Sequence, residues 1–257
     1  VERVHPALMI KAIEQLCKIG GGRLDADTVA CPRSNEVALT AAACAVAAVE
    51  SVVKGDFQRA MCLIRPPGHH ATVSKPMGFC LFNNVAIAAA HARLVLGLDR
   101  VLIVDWDVHH GNGTQDIFYS DGSVYFLSLH RSPFYPGTGD ADETGTGRGL
   151  GWTQNVPLAF GVSRQRYIES FEKALDRTVE HCRPQLILLS AGFDAHREDP
   201  VGSLGLEVED FGTLTRSVIE ASSVTAGGRI VSLLEGGYHV DRLAESVELH
   251  LQTLAKF

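Results

Sequence analysis

Five apolar runs, each followed at once by a polar cluster, constrain this 257-residue chain more than any other feature. Ala60–Ile64 leads into RPPGHH, Val101–Val104 into DWDVHHGNG and Val124–Leu129 into His130. Leu186–Ser190 leads into AGFDAH, and Arg229–Leu234 into EGGY. The runs are short and solid rather than alternating, the pattern of strands buried on both faces. Helical periodicities separate them. That order predicts a single-domain α/β fold: a mostly parallel sheet covered by helices on both faces. In such sheets ligands bind at the carboxyl ends of the strands. All the unusual polar clusters of this chain fall there.

The intervening helices carry their own signals. Leu8, Ile10, Ile13 and Leu16 share one face of a helix within Val1–Gly20. Ser34 is predicted to cap a helix over Glu36–Lys54 that Gly55 stops. Further helices are predicted over Asn83–Leu96, Thr114–Tyr119, Ser163 to about His181, Val208–Ser223 and Val240–Ala255, with a short strand at Asn155–Leu158. The long segment Arg131–Thr153 holds Phe134, Tyr135 and Pro136 as anchors, and reads as an ordered wall of a site. No linker or repeat divides the chain, so residues 1–257 are taken as one domain.

Composition narrows the function class. The longest apolar stretch, Val37–Val49, reads as a helix and falls short of the ~18 residues of a bilayer span. The first ten residues carry no leader pattern. A formal charge of −7 argues against a nucleic-acid surface. Cys17, Cys31, Cys44, Cys62, Cys80 and Cys182 form no CxxC pair. They read as reduced core residues of a cytosolic-type compartment. GxSxG, GxxxxGK[ST], HExxH and GxGxxG are absent.

The chemistry concentrates in Val101–Thr114. Asp105, Asp107 and His109 recur at every second position, so an extended backbone would point all three to one side. A divalent cation is the simplest compensation for such a cluster. Asp107, His109 and, after the run Leu186–Ser190, Asp194 supply one nitrogen and two carboxylates, three ligands with room for water or substrate. That is a catalytic-zinc arrangement which Fe²⁺ or Co²⁺ also suits. His69 and His70 can serve as general base and acid, Asp105 can orient one of them, and Tyr238 can donate to an oxyanion. His130 and His196 read as structural.

In this order RPPGHHA, GFCLFNNVAIA, DWDVHHGNGT, SLHRSPFYPGTGD, LLSAGFDAH and LLEGGY resemble the zinc-dependent histone deacetylase family, with spellings nearer class II than class I. The resemblance runs from about Arg65 to the C-terminus. It implies an arginase/deacetylase-like fold with Asp107, His109 and Asp194 as zinc ligands. His69 and His70 are then the tandem histidines, with His70 as proton shuttle. Asp105 partners His69, Asn112 partners His70, and Tyr238 bonds the substrate carbonyl. Gly78, Phe79, Tyr135, Val201 and Gly237 match the substrate channel. Asp105, Asp107, His109, Ser128 and Leu129 match a structural potassium site, and Phe118, Asp121 and Val124 part of a second. Family members carry a strand, a helix and a rim loop ahead of the region matching Val1–Glu14, so the resemblance implies a start inside the domain.

The expected activity is removal of acetyl or acyl groups from N-ε-acetyl-lysine. Acetylpolyamines or other small N-acyl amines are the alternative substrates, and a non-catalytic acyl-lysine scaffold is the alternative of another class. Val201 stands where a polyamine-selective member has a glutamate, which favours acyl-lysine. Neither nucleic acid nor membrane is an expected partner. The expected location is the cytoplasm, or also the nucleus in a eukaryote.

Overall fold

A computed structural model describes residues 1–256. Helix α1 (Ala7–Lys18) precedes a two-residue hairpin, β1 (Gly22–Arg23) and β2 (Val29–Ala30). There follow α2 (Ser34–Lys54), β3 (Arg59–Cys62), α3 (Asn84–Leu94), β4 (Val101–Asp105), α4 (Asn112–Phe118), β5 (Val124–Arg131) and β6 (Thr153–Leu158). The chain ends with α5 (Arg164–Cys182), β7 (Leu186–Ala191), α6 (Val208–Thr225), β8 (Ile230–Leu234) and α7 (Val240–Lys256). Strands β3 to β8 form one parallel sheet in the order β3-β8-β7-β4-β5-β6.

The solid apolar strands explain the layering. Val101 and Ile103 of β4 face a core shared with α1, α2 and α3, while Leu102 and Val104 face a second core shared with α5, α6 and α7. Every residue of β4 and β7 is buried, as two covered faces demand. Helix α3 is buried from Asn84 to Ala92, and its run of alanines lets it lie close between the sheet and α2. Asn83 caps it by accepting from the Ala86 N–H at 3.0 Å.

Register places the site. Asp105, the last residue of β4, pairs across to Ser128 on β5 and Ser190 on β7. The chain runs outward from β4 to β6, then returns to lay β7 on the other side of β4. The crevice between β4 and β7 is thus the point where strand order reverses, the place where open α/β sheets bind ligands.

Some expectations are corrected. Ser34 is the first residue of α2 rather than its cap, and its hydroxyl accepts instead from the Cys31 N–H at 2.9 Å. Cys31 and Cys44 are exposed, whereas Cys17, Cys62, Cys80 and Cys182 are buried; all six are free. Helix α2, with a mean hydropathy of 1.7 over its apolar window, is long and apolar enough to cross a membrane. Here it buries Ala38, Ala41, Ala42, Ala45, Val49 and Val52 in the first core. The β1–β2 hairpin was too short for any periodicity to announce.

His250 of α7 ties the second core together. It is fully buried, with Nδ1 2.7 Å from Thr215 Oγ1 of α6 and Nε2 2.9 Å from Ser232 Oγ of β8. Burial pushes its pKa down to about 3. The unfolded imidazole titrates near 6.5 and so takes a proton that the folded one refuses. This contribution to stability is complete above pH 6.5 and is lost as pH falls towards about 3. The slope is about 1.4 kcal/mol per pH unit. Urea unfolding at pH 7 and pH 5 should show that His250→Gln loses less stability on acidification than the wild type. Equal acid losses would refute this role.

Candidate active site

Strand β4 ends at Asp105, and the chain then bends through Asp107–His109 rather than staying extended. The three groups of the predicted alignment still meet at one site, His69 reaching Asp105 with Nδ1 at 2.9 Å and standing 3.9 Å from Asp107 Oδ1 with Nε2. Asp107 and His109 turn towards Asp194, which follows β7, while Asp105 turns towards His69. His109 Nδ1 lies 3.0 Å from Asp107 Oδ1 and 3.1 Å from Asp194 Oδ2. Ligand atoms of all three lie within 4.8 Å of one another, and all three residues are buried.

This donor set fits a metal. Two ligands held at about 2.1 Å by a tetrahedral ion stand about 3.4 Å apart, close to the spacing found. Asp194 Oδ1 accepts from the Val108 N–H, yet its Oδ2 is buried without a hydrogen bond. Asp107 Oδ2 accepts from the Gly236 N–H at 2.8 Å. A Cβ at Gly236 would overlap both carboxylates, so only glycine lets the β8 turn close over them. Burial alone would lower the His109 pKa, but the hydrogen bond to Asp107 and the nearby Asp107 and Asp194 carboxylates raise it to about 10. Burial raises Asp194 to about 6, and the Asp107 charge adds to it. The pocket therefore calls for positive charge between these groups. One nitrogen and two carboxylate oxygens suit Zn²⁺, Fe²⁺ or Co²⁺.

The paired histidines stand beside this cluster, ring centroids 4.0 Å apart. His69 Nδ1 is 2.9 Å from Asp105 Oδ2, and His70 Nδ1 is 2.7 Å from Asn112 Oδ1. The two environments differ in kind. Burial opposes charge on His69, but Asp105, Asp107 and Glu235 overcome it and lift its pKa well above the usual value. His70 is driven well below it by burial and by the charge on His69. An amide oxygen faces Nδ1 of His70, so that nitrogen holds the proton and Nε2 is free.

Tyr238, His70, His109, Gly78, Phe79, Tyr135 and Val201 line one channel of about 180 Å³, together with Asp27 and Phe134. Gly78, at φ 56°, lies where any Cβ would overlap the His70 ring. Phe79 is held at φ 67°, a strained value for a bulky residue. Its N–H donates to Thr28 Oγ1 at 3.0 Å, and that of Gly78 to Asp27 Oδ1 at 3.2 Å. Phe134 stacks on His109 with centroids 5.1 Å apart. Burial, reinforced by the Asp107 and Asp194 charges, pushes the Tyr238 phenol up and keeps its proton on. Gly237 belongs to the turn behind Tyr238 and is not among the lining residues.

Three contributors lacked any sequence signal strong enough to name them. Asp27 sits on the short hairpin. Phe134 read only as a loop anchor. Glu235 is buried beneath the histidine loop, accepting from the N–H groups of Gly68 and His69 at 2.7 and 3.2 Å and from Ser190 Oγ at 3.1 Å. Its spelling in LLEGGY was the available clue.

The residues expected around potassium fall in two places. Ser128 and Leu129 lie on β5 beside Asp105, with Ser128 Oγ 2.9 Å from His130 Nδ1. Phe118, Asp121 and Val124 lie at the opposite ends of the strands, lining a separate cavity of about 510 Å³ with Arg3, Arg93 and Arg148. His130 and His196 are buried outside the channel, as expected of structural residues.

Residues 1–254 match the family model described as histone deacetylase domain. The histone deacetylase-like amidohydrolase of Pseudomonas aeruginosa is 41% identical over 92% of this chain and 62% of its own length. The human polyamine deacetylase HDAC10 is 44% identical over 87% of this chain and 34% of its own length. The crystal structure of the HDA15 HD domain superposes with a TM-score of 0.94 at 37% identity, covering 98% of this chain and 71% of that one. The chain thus spans less than two thirds of the length of the two curated relatives.

The cluster predicts that metal analysis of the purified protein finds one divalent ion per chain and that Asp194→Ala loses it. Readdition of Zn²⁺ at 100 times Kd should stabilise the stripped wild type by about 2.7 kcal/mol. A stripped protein whose melting temperature ignores zinc would sink the assignment.

Proposed function

This chain belongs to the histone deacetylase family, and on that premise we propose that it is a metal-dependent amidohydrolase removing acyl groups from N-ε-acyl-lysine. The observation that carries the reading is convergence. The three-ligand cluster, a neutral histidine with a free Nε2 and a protonated phenol all meet at the end of one narrow, aromatic-walled channel.

A divalent ion held by Asp107, His109 and Asp194 would supply Lewis acidity and an acidified water. The protein does the rest. Phe79 and Tyr135 flank the alkyl stem of the acyl-lysine. Tyr238 donates its hydroxyl proton to the carbonyl oxygen as charge gathers there. His70 accepts a proton at Nε2 from the attacking water and returns it to the departing amine, so that the amide becomes a carboxylate and a free amine. His69, kept charged by Asp105, holds His70 neutral until that step and stabilises the negative charge that builds beside it. Pairs of titrating groups with opposed environments divide roles in this way.

From the resemblance we also propose a structural potassium ion at Asp105, Asp107, His109, Ser128 and Leu129, with Phe118, Asp121 and Val124 as part of a second site. Free cysteines support a reducing compartment, and the cytoplasm is the location we infer. The intact set of ligands, histidines and tyrosine argues against a non-catalytic scaffold.

The principal test is hydrolysis of a fluorogenic acetyl-lysine peptide, with chelator and with zinc restored. Turnover should vanish and return. Tyr238→Phe should lower kcat by about 10²–10³, the loss typical of one oxyanion donor, with metal content unchanged. Retention of full turnover would remove Tyr238 from the mechanism.

A small-amine reading draws on the polyamine deacetylase among the relatives. Val201, 45% exposed at the channel mouth, is apolar and offers a second ammonium no counter-charge. Val201→Glu should therefore raise kcat/KM for an acetylpolyamine relative to the acetyl-lysine peptide by about tenfold, the order of one new ion pair at a partly desolvated site. If the wild type already prefers the polyamine, the acyl-lysine assignment falls.

A further inference from the structure

We propose that Asp199 is the positioning residue that holds Tyr238 in register with the channel. The inference rests on the reading of Tyr238 as the carbonyl donor. The phenol needs such help. It follows Gly236 and Gly237, and Gly237 has φ 143°, so the chain entering it is the least restrained kind. No hydrogen bond of the Tyr238 hydroxyl fixes the ring among the described residues, and its contact with Phe79 is an edge approach at 6.2 Å. Its placement must come through its backbone.

Asp199 supplies that placement. Its side chain is buried, and each oxygen receives two backbone N–H groups. Oδ2 accepts from Tyr238 at 2.7 Å and from His239 at 3.3 Å. Oδ1 accepts from Val201 at 2.9 Å and from Gly202 at 2.8 Å. One carboxylate thus clamps the turn carrying the phenol to the segment carrying the channel-mouth residue. The second segment is itself fixed. Ser203 N–H donates to the Asp194 carbonyl at 2.8 Å, and Arg131 Nη1 donates to the Gly202 carbonyl at 2.9 Å while its guanidinium lies 4.1 Å from the Phe134 ring centroid. Asp199 does not line the channel. It acts on the reaction through the backbone of Tyr238 and sets the span between donor and mouth.

An amide cannot replace it. In Asp199→Asn one oxygen remains, and the NH₂ group meets two N–H donors head-on whichever way the amide is turned, so one of the two segments is released. Asp199→Ser removes the clamp while leaving room for water, and serves as a second variant if the asparagine form folds poorly.

The experiment is a double-mutant cycle on the metal-loaded enzyme with the acetyl-lysine peptide, monitored for metal content and melting temperature. Asp199→Asn alone should lower kcat about tenfold at unchanged metal content. In the Tyr238→Phe background the same change should lower kcat less than about twofold, because the group it positions is already gone. Equal losses in both backgrounds would show that Asp199 serves general folding or the metal, and would overturn the inference. So would an unchanged kcat in the single variant. If Tyr238→Phe alone leaves kcat intact, the underlying reading of Tyr238 fails, and this role for Asp199 fails with it. That outcome is distinguished from the others by the Tyr238 arm itself.

Discussion

Four carboxylates, those of Asp105, Asp107, Asp194 and Glu235, lie within the protein at 1% exposure or less. Two unit charges 4 Å apart at an effective dielectric constant near 20 repel by about 4 kcal/mol, so such a group is unstable unless positive charge and N–H donors surround it. Much of this end of the molecule answers that requirement. Backbone N–H groups of Val108, His109, Gly236, Gly68 and His69 point at carboxylate oxygens. His69 carries a proton against the pull of its own burial. The remaining deficit falls between Asp107, His109 and Asp194, where one carboxylate oxygen is left without a hydrogen bond. The proposed divalent ion would complete the compensation. The reactive centre and the electrostatic stability of the fold are thus one problem with one solution.

The same field explains why two adjacent histidines do different work. Their rings nearly touch, so protonating both is costly, and the proton goes to whichever has the better acceptor behind it. His69 has the carboxylate of Asp105 and His70 only the amide of Asn112. A neutral acceptor orients His70 without raising its basicity. The amide at residue 112 leaves His69 the histidine that favours charge and His70 the one that favours neutrality.

Much of this was legible in the chain before any coordinates. Solid apolar runs fixed the parallel sheet because a strand covered on both faces has no room for polar alternation. The clusters after those runs located the site because parallel strands end on one side. What escaped was either too local or too dependent on tertiary contact. A two-residue strand has no period, so the β1–β2 hairpin and Asp27 gave no signal. Glu235 and Asp199 drew no reading, since the N–H groups held by Glu235, and two of the four held by Asp199, come from about 40 or more residues away. The bend after Asp105 was hidden for a related reason. Alternation assumed an extended backbone, whereas the chain bends so that Asp105 bonds His69 while Asp107 and His109 meet Asp194. Ser34 had the composition of a cap, yet the Cys31 N–H captured its hydroxyl first.

Chemistry and selection are built with different materials. The groups that hold charge are buried and fastened to the ends of β4, β7 and β8, where sheet register leaves them little freedom. The mouth is made of half-exposed side chains: Phe79 at 42%, Tyr135 at 37% and Val201 at 45%. These can change without disturbing the buried charge, because each reaches the channel from a loop. Two features keep the mouth from drifting. The hairpin residues Asp27 and Thr28 pin the strained Phe79 turn, and Asp199 pins the segment bearing Val201. Asp27 is also the one carboxylate among the described residues lining the channel, and it is exposed. Neutral walls within the bore suit the alkyl stem of the proposed acyl-lysine.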